Sequence, residues 1–179
     1  MNNRISQEKK KDGLLVKIKA HYEEGKQKQL LIWLLAWTFC GLFIAFQLFG
    51  DEPQEIKKFI LIFLAFWIYF EYKIVKVYRW RKSGEEQFWI TPEYFHYGRT
   101  YNNRGILKPY RKDLVNQIRP ITIEKGRLLQ TFFDSYWVIG DETLMFSVNG
   151  KVIGCGMRLS EKEQKKVMQS INQALTEKS

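Results

Sequence analysis

The sequence predicts an α+β membrane protein: two membrane-spanning helices, then about seven short antiparallel strands, then one amphipathic helix that closes the sheet. Three observations lead there. Gln29 to Gly50 is a run of 22 residues without a charge. After Lys82 the apolar residues recur with period two between turn signals. Ser160-Glu161-Lys162-Glu163 has the S-x-x-E form of a capping box, and an amphipathic helical pattern follows it.

Composition narrows the class. The chain has 179 residues, 45% of them hydrophobic, with a net charge of +10. This length suits one modest domain plus a small addition. Almost all the apolar excess lies between Leu30 and Tyr78. That concentration excludes a plain soluble domain, a disulfide-rich secreted module and a disordered chain, and the length excludes a large polytopic transporter.

Residues 1–28 form a basic cytosolic arm. Positions 1–12 are polar. Leu14, Leu15, Ile18 and Tyr22 fall at helical spacing among Lys17, Lys19 and Lys26. One reading is a basic amphipathic helix lying on the membrane. The other is a stretch that packs on the cytosolic domain or leads into the first span. No small-residue cleavage site follows the first apolar run, so a cleaved signal peptide is not expected.

Residues 29–82 read as a transmembrane hairpin. At 1.5 Å per residue, the uncharged run from Gln29 can cross a ~30 Å hydrocarbon core. Gly41-x-x-x-Ala45 offers small residues for close helix approach. Asp51 to Glu55 is a short acidic turn containing Pro53. The second uncharged run, Phe59 to Phe70, has only 12 residues. It reaches spanning length, from about Lys58 to Tyr78, if the Lys and Arg stems lie along apolar surface. Tyr69, Tyr72, Tyr78 and Trp80 suit a headgroup layer. Glu71 is the costly residue. It is either an intramembrane contact or proton site, or an interfacial carboxylate paired with a neighbouring lysine. Residues 1–28 carry eight Lys or Arg against four acids, and 72–82 carry five and none. The positive-inside bias then puts both termini in the cytoplasm.

Residues 83–179 are the cytosolic domain. Strands are expected at 86–91, 93–100, 106–111, 117–124, 127–133, 143–148 and 151–157. Turns at 101–105, Lys125-Gly126 and Asn149-Gly150 separate them, Asn-Gly being the strongest hairpin signal. The stretch 134–141 is a loop or irregular strand. Val167, Met168, Ile171 and Leu175 form the apolar face of the last helix.

The chain resembles bacterial membrane proteins that join a two-helix transmembrane hairpin to a pleckstrin-homology-like (PH-like) domain, a family of poorly defined function. The resemblance rests on Phe88-Trp89-Ile90-Thr91-Pro92-Glu93, on Leu107 to Leu114 and on Gly156 to Glu163, and covers roughly residues 30–177. Tyr110 stands where such proteins are expected to have a tryptophan. The resemblance implies a seven-stranded antiparallel bent barrel closed by the C-terminal helix, in a bacterial inner membrane. It implies no reaction.

The residues give little support for catalysis. His21 and His96 are far apart in sequence, and Cys40 and Cys155 form no metal-ligand spacing or expected disulfide. No glycine-rich phosphate cradle occurs, and neither metal nor cofactor is expected. Gly154-Cys155-Gly156 reads as a closely packed strand. Asp134, Asp141 and Glu142 are the only acid–base candidates, and loop acids are usually solvated. Binding is the better expectation. Arg99, Arg104, Lys108, Arg111 and Lys112 cluster around the second hairpin and suit an anionic lipid or an acidic partner, or form an ordinary solvated face. Nucleic acid is not expected, since membrane topology accounts for the charge. The sequence therefore predicts a non-catalytic accessory or assembly subunit of a membrane complex. It would contact membrane lipids and a membrane protein partner, with homo-oligomers also open. The alternative is an anionic-lipid-binding, membrane-organising module, and after that a membrane-bound enzyme.

Overall fold

The computed structural model describes residues 4–102, 104–121, 136, 139, 140 and 142–177. The arm folds first, and as strands rather than a helix. β1 (Ile5–Lys10) and β2 (Gly13–Lys19) form an antiparallel hairpin. Leu14, Val16 and Ile18 alternate, while Leu14, Leu15, Ile18 and Tyr22 fall at helical spacing. The alternation prevails because β2 finds a partner about seventy residues later: it pairs with β3 (Gly84–Ile90) from Leu14↔Ile90 to Lys19↔Glu85.

Between these two strands the chain leaves the domain and returns. α1 (Glu24–Phe46) is prolonged by a 3-10 turn at Gln47–Phe49, and after Pro53 comes α2 (Gln54–Ser83). Glu24–Phe49 is long and apolar enough to cross a membrane. The same does not hold for α2, whose second half carries Glu71, Lys73, Lys76, Arg79, Arg81 and Lys82. The helices pack closely at Gly41, where an added Cβ would lie 1.9 Å from Trp67 Cε2. The small-residue reading of Gly41 therefore has a physical basis, with the Trp67 indole filling the space.

β3 continues into β4 (Tyr94–Tyr101) and β5 (Lys108–Arg111), completing a five-stranded sheet in the order β1-β2-β3-β4-β5. A 3-10 turn at Lys112–Leu114 leads to β6 (Arg119–Pro120). With β7 (Glu142–Val148) and β8 (Lys151–Met157), β6 forms a second, three-stranded sheet. The β7–β8 turn uses Asn149 and Gly150, both at positive φ (49° and 77°), as its hairpin geometry requires. Of the expected strands, 127–133 lies outside the described residues, and 117–124 is a strand only at Arg119–Pro120 among those described.

The expected closed seven-stranded barrel is corrected to two antiparallel sheets. Between β5 and β6 the 3-10 turn replaces a continuous ladder, leaving a bridge at Val115↔Val148 and the Asn116 N–H on the Ser147 carbonyl (3.0 Å). At the other seam Arg4 replaces strand pairing. Its guanidinium donates to the carbonyls of Arg158 (2.9 Å) and Met157 (3.1 Å).

α3 (Glu161–Thr176) covers the core. It begins with the expected capping box: the Glu163 N–H donates to Ser160 Oγ, and the Ser160 N–H donates to the Glu163 carboxylate. Val167 and Ile171 are fully buried against Phe88, Phe95, Phe146, Leu144 and Cys155. Phe146 meets Phe95 and Tyr97 edge-on at 5.1 and 5.3 Å.

Candidate functional site

The domain has two distinguishable ends. At the helix end, Ala20 N–H donates to the Gly84 carbonyl (2.9 Å), so the departure to α1 and the return from α2 are tied together. Trp80 is buried there against Tyr101, Ala20 and Met157. Five residues along β2 and β3 from Lys19↔Glu85, at the far end, stand Leu14 and Ile90.

Beyond the helix end the molecule changes character. Phe39, Phe46, Phe59 and Phe66 are 72, 75, 72 and 63% exposed, and most other large exposed apolar residues also lie on α1 and α2. Contacts between the helices include polar ones. The Trp67 indole N–H donates to the Trp37 carbonyl at 3.1 Å. Thr38 Oγ1 lies 2.6 Å from Glu71 Oε1 and 2.8 Å from the Leu34 carbonyl. The hydroxyl has one hydrogen for these two acceptors. Glu71 Oε2 is buried without a partner. Glu71 thus turns toward α1 and not toward a neighbouring lysine.

The base of the hairpin is bolted to the domain by Tyr136, which lies in the stretch that sequence patterns leave unassigned. Its ring packs on Leu30 and Val77. Its hydroxyl donates to Gln27 Oε1 at 2.9 Å, and Gln27 in turn donates to the Tyr78 carbonyl at 3.2 Å. The Arg81 guanidinium stands 4.7 Å from the Tyr136 ring centroid, a cation–π contact.

The five basic residues expected to act together go to three places. Arg99 points between the sheets, where its Nε is 3.3 Å from Glu86 Oε1 and its Nη2 is 2.8 Å from Glu142 Oε1. Arg104, on the β4–β5 connection, and Lys108, the first residue of β5, are exposed. Arg111 and Lys112 are at the far end. Arg111 binds Asp113 through two hydrogen bonds, and Lys112 Nζ donates to the Glu177 carbonyl at 2.8 Å. A single basic face is therefore not formed. Alternate residues of a strand point to opposite faces, so nearness in sequence does not place these charges together.

Sequence reasoning missed the buried network around Glu86. This carboxylate is 1% exposed. It accepts from the Gly156 N–H (2.6 Å) on β8 and from the Tyr97 hydroxyl (3.2 Å), as well as from Arg99. The Tyr97 hydroxyl also lies 3.3 Å from the Gly154 carbonyl, so its one hydrogen serves two acceptors. The network staples the two sheets at the helix end. Burial pushes the Glu86 carboxyl above the usual carboxylate range, against the pull of Arg99 and the Gly156 N–H. Burial likewise raises the Tyr97 hydroxyl. The signal was present: Glu86 shares strand parity with Phe88 and Ile90, so its carboxylate had to fall inside.

The chemical candidates are occupied in the same way. Cys155 is buried, and burial raises its thiol well above the ordinary value, the opposite of an activated nucleophile. Glu142 is held by Arg99, while Asp134 and Asp141 lie outside the described residues. His21 bonds Glu23 at 2.8 Å, and His96 stacks on Trp89 at 4.9 Å. Among the described residues, no group of three or more His, Cys, Asp or Glu could hold a metal ion. Comparisons with protein-family models, with curated proteins and with solved structures give no match for this chain.

Proposed function

We propose that the protein is a non-catalytic binding module anchored in a membrane by the α1–α2 hairpin, and that it serves as an accessory or assembly subunit of a membrane protein complex. The β2–β3 pairing carries this reading. It joins the chain before α1 to the chain after α2 in one sheet, so both flanks lie on one side of any membrane. A chain that crosses through α1 must then cross again before β3, and α2 is the only segment between them that is long enough. Its 30 residues extend about 45 Å, so the stretch from Lys58 to Tyr78, about 31 Å, can span with its lysine stems reaching the interface while the charged last turn stands in the aqueous phase. The lysines and arginines of 72–82 and of the arm favour a cytoplasmic domain with the Asp51–Pro53 turn outside, as in a bacterial inner membrane.

The exposed aromatic faces of the hairpin suit contact with lipid and with helices of a partner. Glu71 adds a polar group that a partner helix can meet. The domain reads as a rigid platform, since its buried charges are engaged with one another. The test is gentle extraction of the tagged full chain from its own membrane, followed by native mass spectrometry. A companion membrane protein at fixed stoichiometry is expected. A chain that emerges alone, or only as copies of itself, overturns the accessory-subunit reading.

A further inference from the structure

We propose that the far end of the domain holds a docking cleft for an acidic protein segment, built from the β1–β2 turn, β3 and the C-terminal part of α3. The inference rests on the binding-module reading and supplies the chemistry of the partner.

β1 runs beside α3, from the Arg4–Glu163 ion pair (3.8 Å) through the Gln7–Ser170 hydrogen bond (2.7 Å). Beyond that point the two elements enclose a cleft of about 430 Å³, in the size range of ligand sites. Lys9, Lys10, Lys11 and Lys112 line it, and Leu14, Pro92 and Ala174 contribute apolar surface. Glu177 is the one acid among the lining residues. Lys112 is tied to the Glu177 carbonyl. Lys9, Lys10 and Lys11 form no ion pair among the described residues. Three consecutive cations, flanked in sequence by Glu8 and Asp12 but paired with neither, thus line a partly apolar groove.

Two features choose the occupant. First, Leu14↔Ile90 is five residues from Lys19↔Glu85, so the cleft lies about 17 Å along the sheet from the point where the helices join. That path along the sheet is about twice the ~8 Å Debye length over which the field of a leaflet is felt. Second, the groove offers Leu14 and Pro92 as well as ammonium groups. A bare phosphate uses only the charge, whereas a segment of alternating acidic and apolar residues uses both.

The probe is a fluorescein-labelled peptide of alternating Glu and Leu. It is titrated by anisotropy against the full chain held in phosphatidylcholine nanodiscs. The peptide is expected to bind, and a Lys/Leu peptide of equal length is not. The K9E/K10E/K11E variant is expected to weaken binding about tenfold or more, and K9Q/K10Q/K11Q to weaken it less. Lys28→Glu, at the start of α1, is expected to leave it unchanged. The inference is overturned if the peptide does not bind, if the reversed variant binds it equally, or if millimolar inorganic phosphate displaces it completely. It is also overturned if the nanodisc-held chain captures phosphatidylglycerol vesicles through these lysines, since the site is then a membrane contact. The native mass spectrum separates the two readings. A companion retained by K9E/K10E/K11E overturns the cleft and keeps the module, and the absence of any companion from the unmodified chain overturns the module.

Discussion

Arg99→Met removes the cation that serves both Glu86 and Glu142. Glu86 is buried, and after the substitution it keeps neutral donors alone, the Gly156 and Met157 N–H groups and the Tyr97 hydroxyl, among the described residues. Breaking a buried pair from one side costs about 3–5 kcal/mol. The Arg99 side chain retains 36% exposure, and solvent screening reduces the expected cost to ~2–3 kcal/mol. For a chain of this length that corresponds to a fall in Tm of about 5–10 °C. Arg111→Met is the control. Its ion pair with Asp113 is exposed at both partners, and its loss costs no more than ~0.5 kcal/mol. The assay is intrinsic-fluorescence melting of the full chain in detergent at several pH values. The Arg99 deficit is expected to shrink toward acid pH, because a protonated Glu86 no longer needs a cation. If Arg99→Met melts within a degree or two of the unmodified chain at neutral pH, Arg99 is a free surface charge and the network described around it is wrong.

Glu86→Gln tests the same site by linkage. The folded carboxyl binds its proton more tightly than the unfolded chain does, so its contribution is full below the unfolded value and is lost as pH rises through the folded value. The stability of Glu86→Gln relative to the unmodified chain should therefore increase with pH above ~4.5, and a flat difference in urea unfolding contradicts the assignment. Gly41→Leu drives a side chain into the Trp67 indole and is expected to part the helices, read as a shift in tryptophan emission; an unchanged spectrum refutes the close packing. Tyr136→Phe leaves Gln27 Oε1 without its donor and is expected to cost ~1 kcal/mol, or about 2–4 °C in Tm. An unaltered Tm means that the hydroxyl is not holding the hairpin base.

What the sequence made legible was local. The uncharged run of α1, the Asn149-Gly150 turn and the Ser160–Glu163 capping box each signal their structure within a few residues, and each forms as read. The arm was not legible, because its outcome depends on a strand seventy positions away. Leu14, Leu15 and Ile18 fit the helical period and Leu14, Val16 and Ile18 the strand period, and only the β3 ladder decides between them. The basic cluster misled for a related reason. Arg99 shares the inward parity of Phe95 and Tyr97, Arg111 stands opposite the outward-facing Tyr94, and Lys112 has left the strand. Lys9 to Lys11 drew no attention because Lys112 and α3, which complete their cleft, are more than a hundred residues away. The closed barrel failed at β5–β6, where no short motif announces that a 3-10 turn will replace the ladder.

The central claim is that a domain assembled from both flanks of the hairpin sits on one face of a membrane that α1 and α2 cross. Single cysteines at Lys10, Glu52 and Lys151, in a Cys40→Ser/Cys155→Ala background, can be challenged with a membrane-impermeant maleimide on intact cells and again after permeabilisation. The account predicts that position 52 labels in intact cells, while 10 and 151 label only after permeabilisation. Labelling of 10 and 151 on opposite sides, or of all three on the same side, contradicts it.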